Sequence, residues 1–183
     1  MIALAAIGIG AFSGVASRIA RNPLSPPPAS ADSLDAMTAQ DAYMRGVAFT
    51  RRNLPVQALP YFRRALALRP DLWQVHSDYA ATLLNAMGQS RATRGVGGPS
   101  TRSSRERVDM IRDALGHLEQ AESLTRTPED HVTVLGTKAR FYSNWGLAWE
   151  SLLVFRQARA LAPGVPEVAH DEAIHLKLMR GGP

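Results

Sequence analysis

The sequence contains no cysteine among its 183 residues. This absence excludes disulfides, thiolate metal sites, covalent haem attachment and thiol catalysis, and it leaves the redox compartment undetermined. Lysine is scarce as well, since Lys138 and Lys177 are the only two, so arginine carries nearly all of the positive charge behind the net charge of +5. A hydrophobic content of 45% and a charged content of 20% are ordinary for a folded protein, and the length suits one domain with a hydrophobic core.

Catalytic and cofactor-binding motifs are also lacking. The histidines form neither HExxH nor a pair at i, i+4, so we interpret them as scattered surface or partly buried residues rather than metal ligands; they are His76, His117, His131, His170 and His175. Gly95, Gly97 and Gly98 follow no strand and precede no Gly-Lys-Ser/Thr, which argues against a phosphate loop. No acidic pattern or activated hydroxyl suits catalysis. We therefore expect no enzymatic activity, no metal and no cofactor.

Charged side chains are absent from the first 17 residues, MIALAAIGIGAFSGVAS. Extended as a helix to Ala20, at about 1.5 Å per residue, this run spans roughly 30 Å, which matches the hydrocarbon core of a bilayer. Because no Lys or Arg precedes it, we expect residues 1–20 to form a retained single-pass transmembrane or signal-anchor helix. The alternative is a signal peptide that is cleaved after Ala16 or Ser17.

The flanks of this apolar run predict its orientation. Arg18 and Arg21 follow it directly, so the positive-inside rule predicts a bacterial inner-membrane protein with a cytoplasmic domain; a periplasmic domain is the alternative. Within the run, Gly10 and Gly14 form a GxxxG pair, a spacing at which transmembrane helices pack closely. This pair weakly indicates a helical partner in the membrane.

A proline-rich linker is predicted over residues 21–38. Pro26, Pro27 and Pro28 favour a stiff polyproline spacer between the membrane and the following domain. Helical periodicity begins near Thr38, where Thr38 or Ser33 is the candidate N-cap.

Residues 41–70 carry the spacing of two antiparallel helices joined by a tight turn. Small residues stand where two helices must approach closely, and aromatic residues stand beside them; the set is Gly46, Phe49, Ala58, Phe62, Ala65 and Pro70. The turn lies around Asn53, and Pro55 suits the first turn of the second helix because its missing N–H would lack an intrahelical partner there. The ending FRRALALRP, which closes at Pro70, returns as FRQARALAP, which closes at Pro163. This echo predicts repeated helical hairpins rather than a generic bundle.

This spacing resembles the tetratricopeptide repeat, a helical hairpin of about 34 residues with the pattern G-x2-Y, A-x3-F and a closing Pro. The resemblance covers residues 39–180 and implies an all-α fold, a superhelical array of antiparallel helical hairpins. The three repeats would begin near Ala39, Trp73 and Val132, and residues 166–180 would form a capping helix. Trp145 and Trp149, one helical turn apart, are expected to fill space around the last turn.

The resemblance also implies a protein-binding groove that is lined by the first helix of each hairpin. Its side chains here would be Tyr43, Val47, Gln74, Ser77, Ala81, Asn85, Arg140 and Asn144. Some members of the family grip chaperone tails with a Lys/Asn/Arg clamp, but Tyr43 and Val47 stand where its opening Lys and Asn would be. A mixed apolar and polar segment of a partner protein is therefore the expected ligand.

An insert over residues 88–107, GQSRATRGVGGPSTRSSRER, replaces the turn of the second hairpin and is predicted to be flexible. Its charge is +4, because a single Glu106 opposes five arginines, which are Arg91, Arg94, Arg102, Arg105 and Arg107. A solvated, disordered loop is one interpretation. The other is a basic arm that contacts anionic lipid headgroups or an acidic protein surface. Nucleic acid is disfavoured, because no aromatic residue stands between the arginines to stack on bases.

Three functional hypotheses follow. The first is a non-catalytic, membrane-tethered scaffold that binds protein partners and is held in the lipid bilayer by its N-terminal helix. It would be an accessory or assembly subunit of a larger bacterial respiratory, photosynthetic or envelope complex. The second is a periplasmic assembly factor or chaperone with a cleaved signal peptide. The third is a regulator that binds nucleic acid through the insert, for which binding would depend steeply on salt.

Overall fold

The computed structural model describes residues 34–92 and 104–179. Within them the regular structure is entirely helical, without a strand, so the all-α prediction is confirmed. After a 3₁₀ turn at Leu34–Ala36, the α-helices are α1 (Ala39–Arg51), α2 (Pro55–Leu68), α3 (Trp73–Ala92), α4 (Ser104–Leu124), α5 (Pro128–Asn144), α6 (Ala148–Leu161) and α7 (Pro166–Met179). None of these described helices is long and apolar enough to span a bilayer. The predicted membrane helix over residues 1–20, with Gly10 and Gly14, lies outside the described residues.

The start of α1 is held by a side-chain cap. Thr38, one of the two predicted candidates, is the N-cap, and its Oγ1 accepts a hydrogen bond from the backbone N–H of Asp41 at 3.2 Å. The Thr38 hydroxyl in turn donates to the Asp41 carboxylate at 2.7 Å. Just upstream, Met37 is buried in the core and Leu34 packs against it. The folded unit therefore already begins within the last residues of the predicted linker.

A close contact between Gly46 and Phe62 defines the α1–α2 hairpin. The Phe62 ring is fully buried, and a Cβ on Gly46 would lie only 2.9 Å from its Cε1 atom. Phe49 and Tyr61 stack beside this contact with ring centroids 5.2 Å apart. Pro55 starts α2 and is buried. Pro60 lies inside α2, which continues through it. The sequence-predicted close approach of the two helices is thus present.

The turn of the α5–α6 hairpin repeats three backbone hydrogen bonds of the α1–α2 turn. The N–H of Leu54 donates to the Phe49 carbonyl at 3.0 Å, and the N–H of Leu147 donates to the Tyr142 carbonyl at 3.0 Å. The preceding residue has a positive φ in both turns, 58° at Asn53 and 76° at Gly146. In the second helices, the small and aromatic core positions are buried in both hairpins; they are Phe62 and Ala65 in α2, and Phe155 and Ala158 in α6. Each of these residues of the α1–α2 hairpin and its counterpart in the α5–α6 hairpin, such as Phe62 and Phe155, are 93 positions apart.

Successive helices pack against one another, and α3 additionally lies against α1 and α5. The first helices of the three hairpins therefore share one side of the described array. Ala114, Leu118 and Ala121 are the buried positions of α4, at the four-then-three spacing that the sequence predicts. Among the described residues the main core is built from α1 to α4 around Phe62, Leu83 and Leu118, with Phe141 of α5 packed into it.

Two details differ from the sequence-based expectations. The helices α3 and α4 extend into the predicted insert from both sides, so its ends are helical; both ends contain good helix formers such as Ala, Arg, Gln and Glu. Arg91 lies in α3, Arg105 and Arg107 lie in the first turn of α4, and Arg94 and Arg102 lie outside the described residues. The expectation that Trp149 fills space around the turn is wrong, since 68% of this residue is exposed.

Candidate functional site

The predicted groove residues lie on α1, α3 and α5, whose side-by-side packing forms what we call the first-helix face. Tyr43 and Val47 are on α1, and Arg140 and Asn144 are on α5. The other four are on α3; they are Gln74, Ser77, Ala81 and Asn85. Asn85 and Asn144 are exposed, while Ser77 is buried and the remaining five are half-buried. The face therefore combines half-buried apolar side chains with the exposed amide groups of Asn85 and Asn144.

Polar contacts join the three helices across this face. The hydroxyl of Tyr43 donates to Oδ2 of Asp78 at 2.8 Å, which links α1 to α3. Thr50 and Thr82 form a second α1–α3 contact at 3.2 Å between their hydroxyl oxygens. Ser77 donates to Oγ1 of Thr137 at 3.3 Å, so this predicted groove residue joins α3 to α5 instead of lining an open surface.

Asp78 is the electrostatic centre of the first-helix face. Burial raises the pKa of its carboxyl group, while the Tyr43 hydrogen bond and the charges of Arg140 and Arg51 oppose that rise. The pKa of Tyr43 is also raised, first by burial and then by the nearby Asp78 carboxylate. Burial lowers the pKa of Arg140, against the attraction of Asp171 on α7 and of Asp78. A partly buried acid thus interacts with the charges of two guanidinium groups, those of Arg140 and Arg51.

Sequence reasoning missed Asp78 and the threonines. The resemblance to a repeat points to positions 74, 77, 81 and 85 of α3 and passes over position 78, which lies on the same helix one turn after Gln74. The available signal was Tyr43 on α1, since a partly buried tyrosine hydroxyl requires a hydrogen-bond partner. On the neighbouring first helix, α3, the one acidic residue is Asp78.

A second cluster, which we call the histidine network, joins α2, α3 and α4. Nδ1 of His76 lies 2.7 Å from Nδ1 of His117. Nε2 of His76 donates to the carbonyl of Pro70 at 2.9 Å, and Nε2 of His117 lies 3.5 Å from Oδ1 of Asp113. The interpretation of all five histidines as scattered is therefore wrong for these two. They are 41 positions apart, and only the register of α3 against α4 brings them together.

The network continues from Asp113 to α2. Tyr79 donates its hydroxyl hydrogen to Oδ2 of Asp113 at 3.2 Å, and Nε of Arg63 donates to the Tyr79 hydroxyl at 2.9 Å. The Tyr79 and His117 rings meet edge to face with centroids 4.7 Å apart. Burial lowers the pKa of His117, and the positive charge of Arg63 lowers it further, whereas Asp113 opposes both effects. Burial likewise raises the pKa of Tyr79.

Two cavities open beside the network and share Asp109 and Asp113 in their walls. One has a volume of about 520 Å³ and is bounded by α2, α3 and α4, with Val56 and Arg63 in its lining. The other has a volume of about 550 Å³ and is lined by both histidines of the network. His76 is buried, with 6% of its surface exposed, so the network is reached from the side of His117 and Asp113.

His131 and His170 do not join this arrangement. Nε2 of His131 lies 3.4 Å from Oε1 of Glu122, a carboxylate that also accepts a hydrogen bond from Nζ of Lys138 at 2.8 Å. His170 is exposed on α7. Across residues 34–92 and 104–179, no three or more His, Cys, Asp or Glu side chains are grouped so that they could hold a metal ion.

No protein-family model matches the chain, and a search of curated proteins finds no significant match. The functional interpretation therefore depends on the sequence pattern and on the contacts described above.

Proposed function

We propose that this protein is a non-catalytic scaffold of tetratricopeptide-type repeats that binds a partner protein on its first-helix face. The hairpins α1–α2, α3–α4 and α5–α6 would be the three repeats, and α7 would cap the array. On this proposal the chain is an accessory or assembly subunit of a larger bacterial membrane complex.

The recurrence of one hairpin supports the repeat assignment. The turn residues Asn53 and Gly146, like the buried Phe62 and Phe155, are 93 positions apart. Two repeats of about 34 residues account for about 68 of these positions, and the remaining 25 or so agree with one insert in the second hairpin. A generic bundle has no reason to reproduce turn hydrogen bonds, buried aromatics and closing prolines at one constant separation.

The packing of α3 against both α1 and α5 is the observation that carries the binding proposal. It aligns the first helices into one continuous face, which is where repeat proteins of this architecture present their binding surface. Val47 and Ala81 offer partly exposed apolar groups, and Asn85 and Asn144 offer amides. This mixture suits a protein segment with both apolar and hydrogen-bonding side chains.

Site-specific photo-cross-linking tests the face directly. A photoreactive amino acid would replace Asn85 or Asn144 in the full chain in native cells, and the matched control would replace Gln157, an exposed residue of α6. We expect one partner protein to be cross-linked from both asparagine positions and not from Gln157. Equal cross-linking of that partner from all three positions would refute the assignment of the face.

The membrane tether is a separate part of the proposal and derives from the sequence of residues 1–20. Its support is a run of 17 residues without charge, followed directly by Arg18 and Arg21. We expect the native protein to require detergent for extraction and to co-purify with its partner afterwards. Extraction in buffer without detergent, followed by purification without any partner protein, would contradict both the tether and the subunit role. A native N-terminus after Ala16 or Ser17 would contradict the tether alone.

A further inference from the structure

The hydrogen positions of the histidine network follow from its outer partners. The carbonyl of Pro70 can only accept, so Nε2 of His76 carries a hydrogen and Nδ1 of neutral His76 is a bare acceptor. The Asp113 carboxylate likewise favours a hydrogen on Nε2 of His117, which leaves Nδ1 of neutral His117 bare as well. Two lone pairs then face each other across 2.7 Å. Two such lone pairs repel each other, and either a shared proton or a metal ion between the two nitrogens removes the repulsion.

We propose that Nδ1 of His76 and Nδ1 of His117 bind one divalent transition-metal ion of the zinc, nickel or copper class. Imidazole nitrogen suits these ions, and the protein offers no thiolate to compete for them. Among residues 34–92 and 104–179 these two imidazoles are the protein ligands of the site, and water would complete the coordination shell. The site is independent of the proposed scaffold function.

The outer contacts of both rings are those of metal-bound histidines. A ligating histidine commonly donates its second ring N–H to a backbone carbonyl or a carboxylate, which fixes the ring and increases its basicity. His76 has the carbonyl of Pro70 and His117 has the carboxylate of Asp113 in these positions. Asp113 is itself held by the hydroxyl of Tyr79, which Arg63 contacts in turn. The support therefore extends over three helices.

The surroundings also leave room for the ion. Metal–nitrogen bonds of about 2.0–2.1 Å at a tetrahedral angle require the two nitrogens to be about 3.3 Å apart, which is roughly 0.6 Å more than in this structure. His117 lines the cavity of about 550 Å³, so its ring has space to move outward. The same cavity accommodates the water ligands. Bound metal would link α3 to α4.

Metal titration of the full chain, in mild detergent and after treatment with a chelator, tests the proposal. The probes are Zn²⁺, with affinity measured by competition against a chromophoric chelator, and Co²⁺, whose visible spectrum reports its ligands. We expect one equivalent to bind and the thermal unfolding midpoint to rise with metal concentration. His117→Gln should weaken Zn²⁺ binding by at least about 10-fold, and Asp113→Asn by about 10- to 100-fold, as outer-shell substitutions do.

His131→Gln is the matched control, because His131 is also partly buried beside a carboxylate but faces no second histidine. This variant should keep wild-type affinity. His76→Gln should behave like His117→Gln, and if the buried substitution prevents folding, the more accessible His117 decides the matter. Binding that survives His117→Gln, or no binding by the wild-type protein, overturns the proposal. In the second case the two rings share a proton, and the Nδ1 resonances in ¹⁵N NMR spectra will show it.

Discussion

Gly46 and Gly136 are both buried glycines in the middle of a helix, yet we expect opposite results when each is replaced by alanine. A Cβ at Gly46 would lie 2.9 Å from Cε1 of Phe62 and 3.0 Å from two further atoms of that ring. A Cβ at Gly136 would have no heavy atom within 4 Å from outside its own stretch of helix. The pair therefore separates helix propensity from the fit between helices.

The magnitudes follow from these contacts. Alanine favours a helix over glycine by about 1 kcal/mol, so Gly136→Ala should raise the free energy of unfolding by about that amount. Gly46→Ala has the same propensity gain, but the Phe62 ring is fully buried and cannot move aside freely. Overpacking of a core typically costs about 1–3 kcal/mol, so the net effect of Gly46→Ala should range from neutral to a loss of about 2 kcal/mol.

Urea unfolding of the full chain, followed by far-UV circular dichroism, measures both values. The Phe62→Leu background supplies the control, since leucine lacks the ring atoms that the new methyl group would meet. In that background Gly46→Ala should recover the helix-propensity gain of about 1 kcal/mol, which corresponds to a coupling energy of about 1–3 kcal/mol between the two positions. Equal stabilisation by both alanine substitutions in the wild-type background would refute the close approach of α1 and α2.

Two further predictions concern Asp78 and Gly146. Burial raises the pKa of Asp78 above its unfolded value of 3.8, so its contribution to stability is complete below about pH 4 and declines as the pH rises. Asp78→Asn should therefore gain stability relative to wild type in urea unfolding as the pH rises from about 5 to 8. In Asp71→Asn the parent carboxyl has its pKa lowered to about 2 by Arg69, so this variant should show no pH-dependent change in that range. A relative loss for Asp78→Asn would contradict the sign. Gly146→Ala should cost about 1 kcal/mol in the same assay, because Gly146 has a φ of 76° that strains an L-residue; no loss would contradict a tight left-handed turn.

Much of the fold could be predicted because its determinants are local in sequence. The Thr38 cap lies three residues from its partner Asp41, and the buried positions of α2 follow one another at helical spacing. The copy of the Phe62 pattern at Phe155 needed no knowledge of any contact. Patterns of this kind depend only on the geometry of a single helix, so they can be predicted from the sequence.

The missed features depend on where a helix ends and on how one helix is aligned against another. The spacing of residues within one segment encodes neither. Trp145 and Trp149 are four positions apart, but α5 ends at Asn144 and Gly146 turns the chain with a positive φ before α6 begins. The two rings therefore never share a helical face. The His76–His117 contact and the Tyr43–Asp78 hydrogen bond join different helices, so each required the register of one helix against another.

The α3–α4 hairpin differs from the other two hairpins at both of its ends. In the first and third hairpins a tight turn with a positive-φ residue joins the helix ends, through Leu54 to Phe49 and Leu147 to Tyr142. The described residues of α3 and α4 contain no such turn, since 11 residues lie between Ala92 and Ser104 in the sequence. At the opposite end, in the first turn of α3, this hairpin alone of the three has a pair of facing histidines across its two described helices. A cation at that pair would link α3 to α4 at the end of the hairpin opposite Ala92 and Ser104.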